Sequence, residues 1–441
     1  MRTDPSGPLW RKRILVAASG SIAAVKTPAL VSALVKAGAQ VRCLITASAA
    51  ELVSPVALAS LSRHRCYQES DQWDASRSRP LHIELAEWSE LLIVAPLSAS
   101  SLARWSQGSA DGLLASVLLA FEGTVLAVPA MNTAMWAHVA VQRNWSLVQE
   151  FPRVIPLLPA TGLLACDRIG DGRMADPALI ELAAGSVFSR GDGTSCADRD
   201  WTGQTLLVSA GPTLEAIDAA RVLTNRSSGR MGVLLAQAAR FRGAVVKLVH
   251  GPLDLPKAWL EGLECVSITS AHELSLAMGQ ALPDADRIVM TAAVADLRRQ
   301  QPVQGKLPKT QIQDALAGGW VEVPDLLATL SRQRRSNQLF LGFSALVGDN
   351  EQLLERAEAK RLSKGSDLMF VNPSDRIGQG FGDQLNGGWL RGEGWSMELP
   401  VMPKLALAHR LLDVLREPQA AASIESCPRR SMTVRSCERG I

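Results

Sequence analysis

No apolar run in this chain comes near the roughly 20 residues that a membrane-spanning helix requires; stretches such as 14–18 and 91–95 stop after a handful of residues. The Arg11-Lys12-Arg13 cluster imitates a secretory leader, but Gly20-Ser21 interrupts the following run too soon, so neither a span nor export is expected. Charge of one sign is missing as well. Charged residues make up 20% of the chain and sum to +3, which marks neither a nucleic-acid binder nor a membrane-surface protein. Cysteine is sparse: seven residues, an odd number without a CxxC pair, argue against a disulfide framework and a structural zinc site. The expectation is a cytoplasmic protein whose partners are small molecules.

What is present is material for two cores, because 441 residues with 47% apolar side chains exceed what one core holds. Short β-rich runs alternate with longer helical patterns, the signature of α/β domains with doubly wound parallel sheets. The first half places strands at 13–18, 40–45, 91–95 and 124–128; the second places them at 205–209, 244–249, 287–291, 339–343 and 368–371. Residues 186–203 lack apolar periodicity and are rich in Gly, Ser and Asp, so they read as a linker between domains at 1–185 and 204–417. The small, polar, basic tail 418–441 is expected to be disordered.

AASGSIAAVK (17–26) joins a strand to a helix through small and hydroxylated residues, where N–H groups and the helix dipole favour an anion. Alone it reads equally as a capped turn. It is accompanied by LITASAAELVSP (44–55), LHIELAEWSELLIVAPLSASSLARWSQGSADGLLAS (81–116), VPAMNTAMWAH (128–138) and GLLACDRIGDGRMADP (162–177). Together these resemble the phosphopantothenoylcysteine decarboxylase family, homo-oligomeric flavoproteins of flavodoxin-like, Rossmann-like fold. Their chemistry needs the flavin because direct loss of CO₂ would leave an unstabilised carbanion. Oxidation of the thiol to a thioaldehyde first provides an electron sink. The resemblance implies FMN bound by Gly20, Ser21, Ile22 and Thr46, with Ser98, Ser100, Ala130 and Met131. It assigns His82 as base, Asn132 as carboxylate holder and Cys166 as proton donor, with Met135 at the substrate. The chain departs from the family at Ser100, where Asn is frequent, and at Asp167, where Gly is usual.

In the second half, 205–252 opens with a strand and a Gly-Pro turn, and Ser227-Ser228-Gly229 precedes a periodic helix. No GxGxxG fingerprint is present, which disfavours a dinucleotide domain. This stretch, with MTAAVADL (290–297), GKLPK (305–309), VPDLL (323–327), GFSALV (342–347) and AKRLSKGSDLMFVN (359–372), resembles phosphopantothenate cysteine ligase, a Rossmann-like domain usually fused behind the decarboxylase. That family spends CTP with Mg²⁺ to make an acyl cytidylate, which the cysteine amine opens. The resemblance implies catalytic roles for Asn225 and Lys306 and a substrate role for Arg221. It implies nucleotide contacts at Ala292, Asp296, Lys306 and Phe343, along Pro324, Asp325, Leu326 and Leu327, and at Lys360 and Lys364, one helical turn apart. By themselves Asn225 is a loop asparagine and each lysine a solvated surface group; no metal ligand is singled out. Departures fall at Val323, at Leu346-Val347, and at Arg226 and Arg230 in place of His and Lys.

The expected activity is therefore a bifunctional step pair of coenzyme A biosynthesis, from 4′-phosphopantothenate and cysteine to 4′-phosphopantetheine. Two alternatives stay open on the residues: a flavin-dependent peptidyl-cysteine decarboxylase, and a flavoprotein turned regulatory module.

Overall fold

Two sheets, one in each half, organise the chain; the structure, a computed structural model, describes residues 7–163, 169–190, 198–301, 303–376, 378–380 and 382–418. The first sheet contains β1 (Arg13–Ala18), β2 (Gln40–Ile45), β3 (Cys66–Gln68), β4 (Leu91–Leu97), β5 (Thr124–Pro129) and β6 (Val154–Pro156), in the order β3-β2-β1-β4-β5-β6. All neighbours are parallel. Every residue of β4 and β5 is buried, because helices cover both faces, and this is why these strands read as unbroken apolar runs. A hairpin follows, β7 (Ala160–Leu163) against β8 (Ile169–Arg173).

The second half contains β9 (Thr205–Ala210), a hairpin of β10 (Leu214–Ala216) and β11 (Val222–Thr224), β12 (Val245–His250), β13 (Glu264–Ser267), β14 (Arg287–Met290), a ribbon of β15 (Leu297–Arg299) and β16 (Trp320–Glu322), β17 (Leu339–Leu346), β18 (Leu368–Pro373), β19 (Leu385–Gly392) and β20 (Trp395–Pro403). Its main sheet runs β13-β12-β9-β14-β17-β18-β19-β20. The expected doubly wound parallel sheet is present in β13-β12-β9-β14-β17-β18, and β19 and β20, which the sequence did not announce, are antiparallel additions to one edge. They escape a pattern search because Gly387 and Gly388 fall at a register shift beside Asn386, so apolar alternation breaks where the strand bends.

The linker assignment is corrected at both ends. The helix Pro177–Ser189 runs through its first four residues, where Ser186 and Ser189 are buried, and Trp201 at the other end is wholly buried. Small residues there serve close packing: the Ser186 hydroxyl lies 2.8 Å from His409 Nε2. One apolar cluster continues from the first sheet through this helix into the helices Arg230–Phe241 and Lys404–Arg416. Arg242, fully buried, donates to Asp200 and pairs with Asp413 at 2.7 Å, Arg190 bridges the same two carboxylates, and Arg416 pairs with Asp200. Residues 191–197 of the linker and 419–441 of the tail lie outside the described residues.

Candidate functional site

Each sheet has a switch point, where the chain leaves in opposite directions from adjacent parallel strands and their C-terminal loops part to form a crevice. In the first half this lies between β1 and β4. Ser19 cross-ties it, its hydroxyl donating to Pro96 O at 2.8 Å and accepting the Ser98 N–H at 2.7 Å. A cleft of about 660 Å³ opens there, in the range of cofactor sites. Gly20, Ser21 and Ile22 form one wall, Ser98 and Ser100 another, and Ala130, Met131, Asn132 and Met135 a third.

The hydroxyls cap helices: Ser21 receives Ala23 N–H, and Ser98 receives Ser101 N–H at 3.3 Å. Asn132 Oδ1 accepts the Ala134 N–H at 2.8 Å. A second cleft of about 550 Å³ shares Gly20, Ser98 and Ser100 and adds Thr46, which caps its own helix through Ala49 N–H. The floor comes from β8, where Gly172 O accepts Met131 N–H at 2.9 Å. Gly172 is obligatory, since its φ is +133° and a Cβ there would stand 2.2 Å from Met131 O.

Two basic side chains that the sequence did not single out also line this cleft, Lys26 and Arg173. Burial, then the Arg173 guanidinium, hold Lys26 below the ordinary lysine value against the opposite pull of Asp176 and Glu261. Their place at the end of AASGSIAAVK and in the GRM stretch was the available signal. Apolar walls, capping hydroxyls and two cations fit an anionic flavin. His82, by contrast, lines neither cleft: it is the second residue of the helix Leu81–Trp88, half-buried, with Glu84 two residues on paired to Arg42 and Arg77. Cys166 and Asp167 lie outside the described residues.

The second switch point lies between β9 and β14, where Ser209 Oγ accepts the Ala292 N–H at 3.2 Å. A narrow recess of about 140 Å³ runs from Ser227-Ser228-Gly229 past Ala292 to Phe343. Asn225 Nδ2 donates to Val294 O at 2.9 Å and Ala293 O at 3.3 Å, which fixes the loop carrying Ala292 and Asp296.

Two of the cationic candidates, Lys360 and Lys364, form one group. Lys360 Nζ donates to Ser344 Oγ at 2.8 Å, and Lys364 pairs at 3.0 Å with Asp325, the N-cap of the helix Leu326–Arg332 that carries Leu326 and Leu327 after Pro324. Burial, then Lys364, lower the Lys360 pKa, while Asp296 and Asp325 act oppositely. Burial acts to raise Asp325, but the Ala328 N–H and Lys364 outweigh it and hold the carboxyl low. Among the described residues no three His, Cys, Asp or Glu side chains converge as a metal cluster. A nucleotide's Mg²⁺ needs only one or two carboxylates beside phosphate oxygens, and Asp296 and Asp325 are suitably charged for that.

Lys306 is exposed on a loop that Asp218 holds in place. The buried Asp218 carboxylate accepts N–H groups of Ala220, Arg221 and Leu307, and Arg221 Nη1 at 2.6 Å. Burial acts to raise its pKa, yet these donors prevail and keep it low. Arg221 and Lys306 are thereby brought together across a chain separation that no local pattern reveals. Lys404, Asn372 and Asn386 also line the recess without having been singled out.

Among the described residues no helix is long and apolar enough to cross a membrane. Residues 3–183 match the Flavoprotein family model, and residues 201–418 match the DNA/pantothenate metabolism flavoprotein C-terminal domain. The coenzyme A biosynthesis bifunctional protein of Bacillus subtilis (strain 168) is 36% identical over 410 residues, 92% of this chain and 96% of that protein. Its counterpart in Escherichia coli (strain K12) is 34% identical over 405 residues, 91% of this chain and 96% of that protein. A crystal structure of the C-terminal domain of such a protein is 30% identical, covers 51% of this chain and 100% of its own, and has a TM-score of 0.40. Matched across nearly the full length of these relatives, in both halves and in the same order, the chain belongs to the family of coenzyme A biosynthesis bifunctional proteins.

Proposed function

We propose that the C-terminal half ligates 4′-phosphopantothenate to cysteine with CTP and Mg²⁺, and that the N-terminal half decarboxylates the resulting 4′-phosphopantothenoylcysteine to 4′-phosphopantetheine with FMN. The observation that carries this reading is the pair of crevices, each at its own switch point on one chain, one lined to hold an anionic flavin and the other rich in phosphate-binding groups.

Beside the ligase recess, Lys360, bonded to its lining residue Ser344, and Lys364 one turn on neutralise the triphosphate as charge moves toward the departing pyrophosphate. Asn225 sets the loop that meets the base, and the Asp218 clasp aims Lys306 at the carboxylate being activated. In the flavin cleft FMN supplies the two-electron oxidation that makes CO₂ loss feasible. Lys26 and Arg173 offer charge to its phosphate, and Asn132 supplies uncharged donors to the substrate carboxylate. Since His82 is absent from this chain's cleft, its role as base requires a second copy in the expected homo-oligomer.

A coupled assay with 4′-phosphopantothenate, cysteine, CTP and Mg²⁺ tests the whole: pyrophosphate and CO₂ are the expected products. Turnover with ATP alone would overturn the cytidine assignment. Mixing inactive His82→Ala and Cys166→Ser chains tests the shared base, because regained CO₂ release requires residues from two chains in one site.

A further inference from the structure

Among the described residues, a buried lysine in the ligase recess has no carboxylate paired with it. Lys404 opens the helix Lys404–Arg416 and is 5% exposed, although lysines are seldom so buried without an ion pair. Among the described residues its Nζ makes one hydrogen bond, to Gly380 O at 2.7 Å, while an ammonium carries three donors. No carboxylate among the described residues lies within ion-pair distance of it. Burial, then the repulsion of Arg230, push its pKa down to about 8, and Asp383 offsets them only in part.

The rest of the recess has the same sign. The helix Arg230–Phe241 points its N-terminus into it, capped by Gly229 without a side-chain bond and with no acidic residue in its first turn. Arg230 Nη1 is buried and has no hydrogen-bond partner. Two cations and a helix dipole thus converge on a small recess whose remaining wall includes Ala292 and Phe343. Burying such charge without compensation is costly, and an arriving dianion reverses the sign of that cost.

We propose that Lys404 is a phosphate-binding residue of this recess, its ammonium and the N-terminus of the Arg230–Phe241 helix together receiving a phosphate group of a ligase substrate. The proposal rests on the ligase reading of the C-terminal half. The phosphate belongs either to the nucleotide or to 4′-phosphopantothenate, and the chemistry of recognition is the same for both.

The test uses the full chain. Isothermal titration with inorganic pyrophosphate should show binding by the wild type, a loss of at least about tenfold in Lys404→Met, and recovery in Lys404→Arg. Steady-state ligation then separates the sources: a raised KM for CTP alone assigns the phosphate to the nucleotide, and a raised KM for 4′-phosphopantothenate alone assigns it to the other substrate. Should Lys404→Met fail to fold, Lys404→Gln keeps a donor for the Gly380 carbonyl without the charge and is expected to show the same loss. No pyrophosphate binding by the wild type, or equal affinity and equal KM values in the folded uncharged variant, overturns the proposal. Pyrophosphate binding that depends on Lys404 in a chain that does not turn over CTP would sustain the proposal and sink the CTP-ligase reading instead.

Discussion

Gly172→Ala tests whether the β8 floor shapes the flavin cleft. The new Cβ would stand 2.2 Å from Met131 O at a φ of +133°, so β8 has to retreat by about 1 Å from the segment carrying Met131 and Asn132. That retreat breaks the 2.9 Å bond from Met131 N–H to Gly172 O. Backbone strain of about 1–3 kcal/mol and the lost hydrogen bond, about 1 kcal/mol, together amount to roughly 2–4 kcal/mol. If the cleft bears that cost, flavin affinity falls between about 30-fold and 10³-fold, since about 1.4 kcal/mol is a factor of ten. The assay is the visible absorbance of flavin retained by purified protein, with titration of added FMN. Gly394→Ala is the control: its φ is +75°, but nothing lies within 4 Å of the added atom, so it introduces strain far from the cleft and should leave flavin occupancy unchanged. Full flavin retention in folded Gly172→Ala would refute the reasoning.

Three further outcomes are expected. Asp218→Asn, which loosens Leu307 and Arg221, should lower ligation kcat by about 10²-fold through misplacement of Lys306 while CO₂ release from supplied 4′-phosphopantothenoylcysteine stays normal; equal ligation rates would remove the clasp. Arg242→Met strands part of the buried junction charge, which costs about 3 kcal/mol, or a fall of roughly 6–12 °C in the melting temperature of the second half by calorimetry. Glu358 is held at about 2, below its ordinary 4.5, first by the bond from Arg361, then against burial by Arg391. A lowered folded pKa means that its stabilisation is complete above pH 4.5 and is lost as pH falls toward 2. Glu358→Gln should therefore lose less stability than the wild type across that window in acid-unfolding curves.

Much of the fold was legible because its signals are local. β1 and β2 coincide with their expected limits, since short apolar runs bounded by turn residues specify buried parallel strands. The small-residue turn after β1 and the Ser227-Ser228-Gly229 turn before the helix Arg230–Phe241 were also visible in the sequence, and each lines a cleft. The strands β19 and β20 were missed because their register information lies in a bulge rather than in alternation. The linker was drawn too wide because serines and glycines that suit loops equally suit tight helix packing, as Ser186 does against His409.

The sequence by itself therefore determined which segments become strands, where their C-terminal turns fall, and to which family the motifs belong, because each depends on neighbours within a few residues. Only the tertiary structure decided which turns share a crevice, that Asp218 joins Arg221 to the Lys306 loop, that His82 stays out of its own chain's cleft, and that Lys404 reaches the ligase recess from the last helix. Strand order and long-range packing set those distances, and neither has a local signature in the chain.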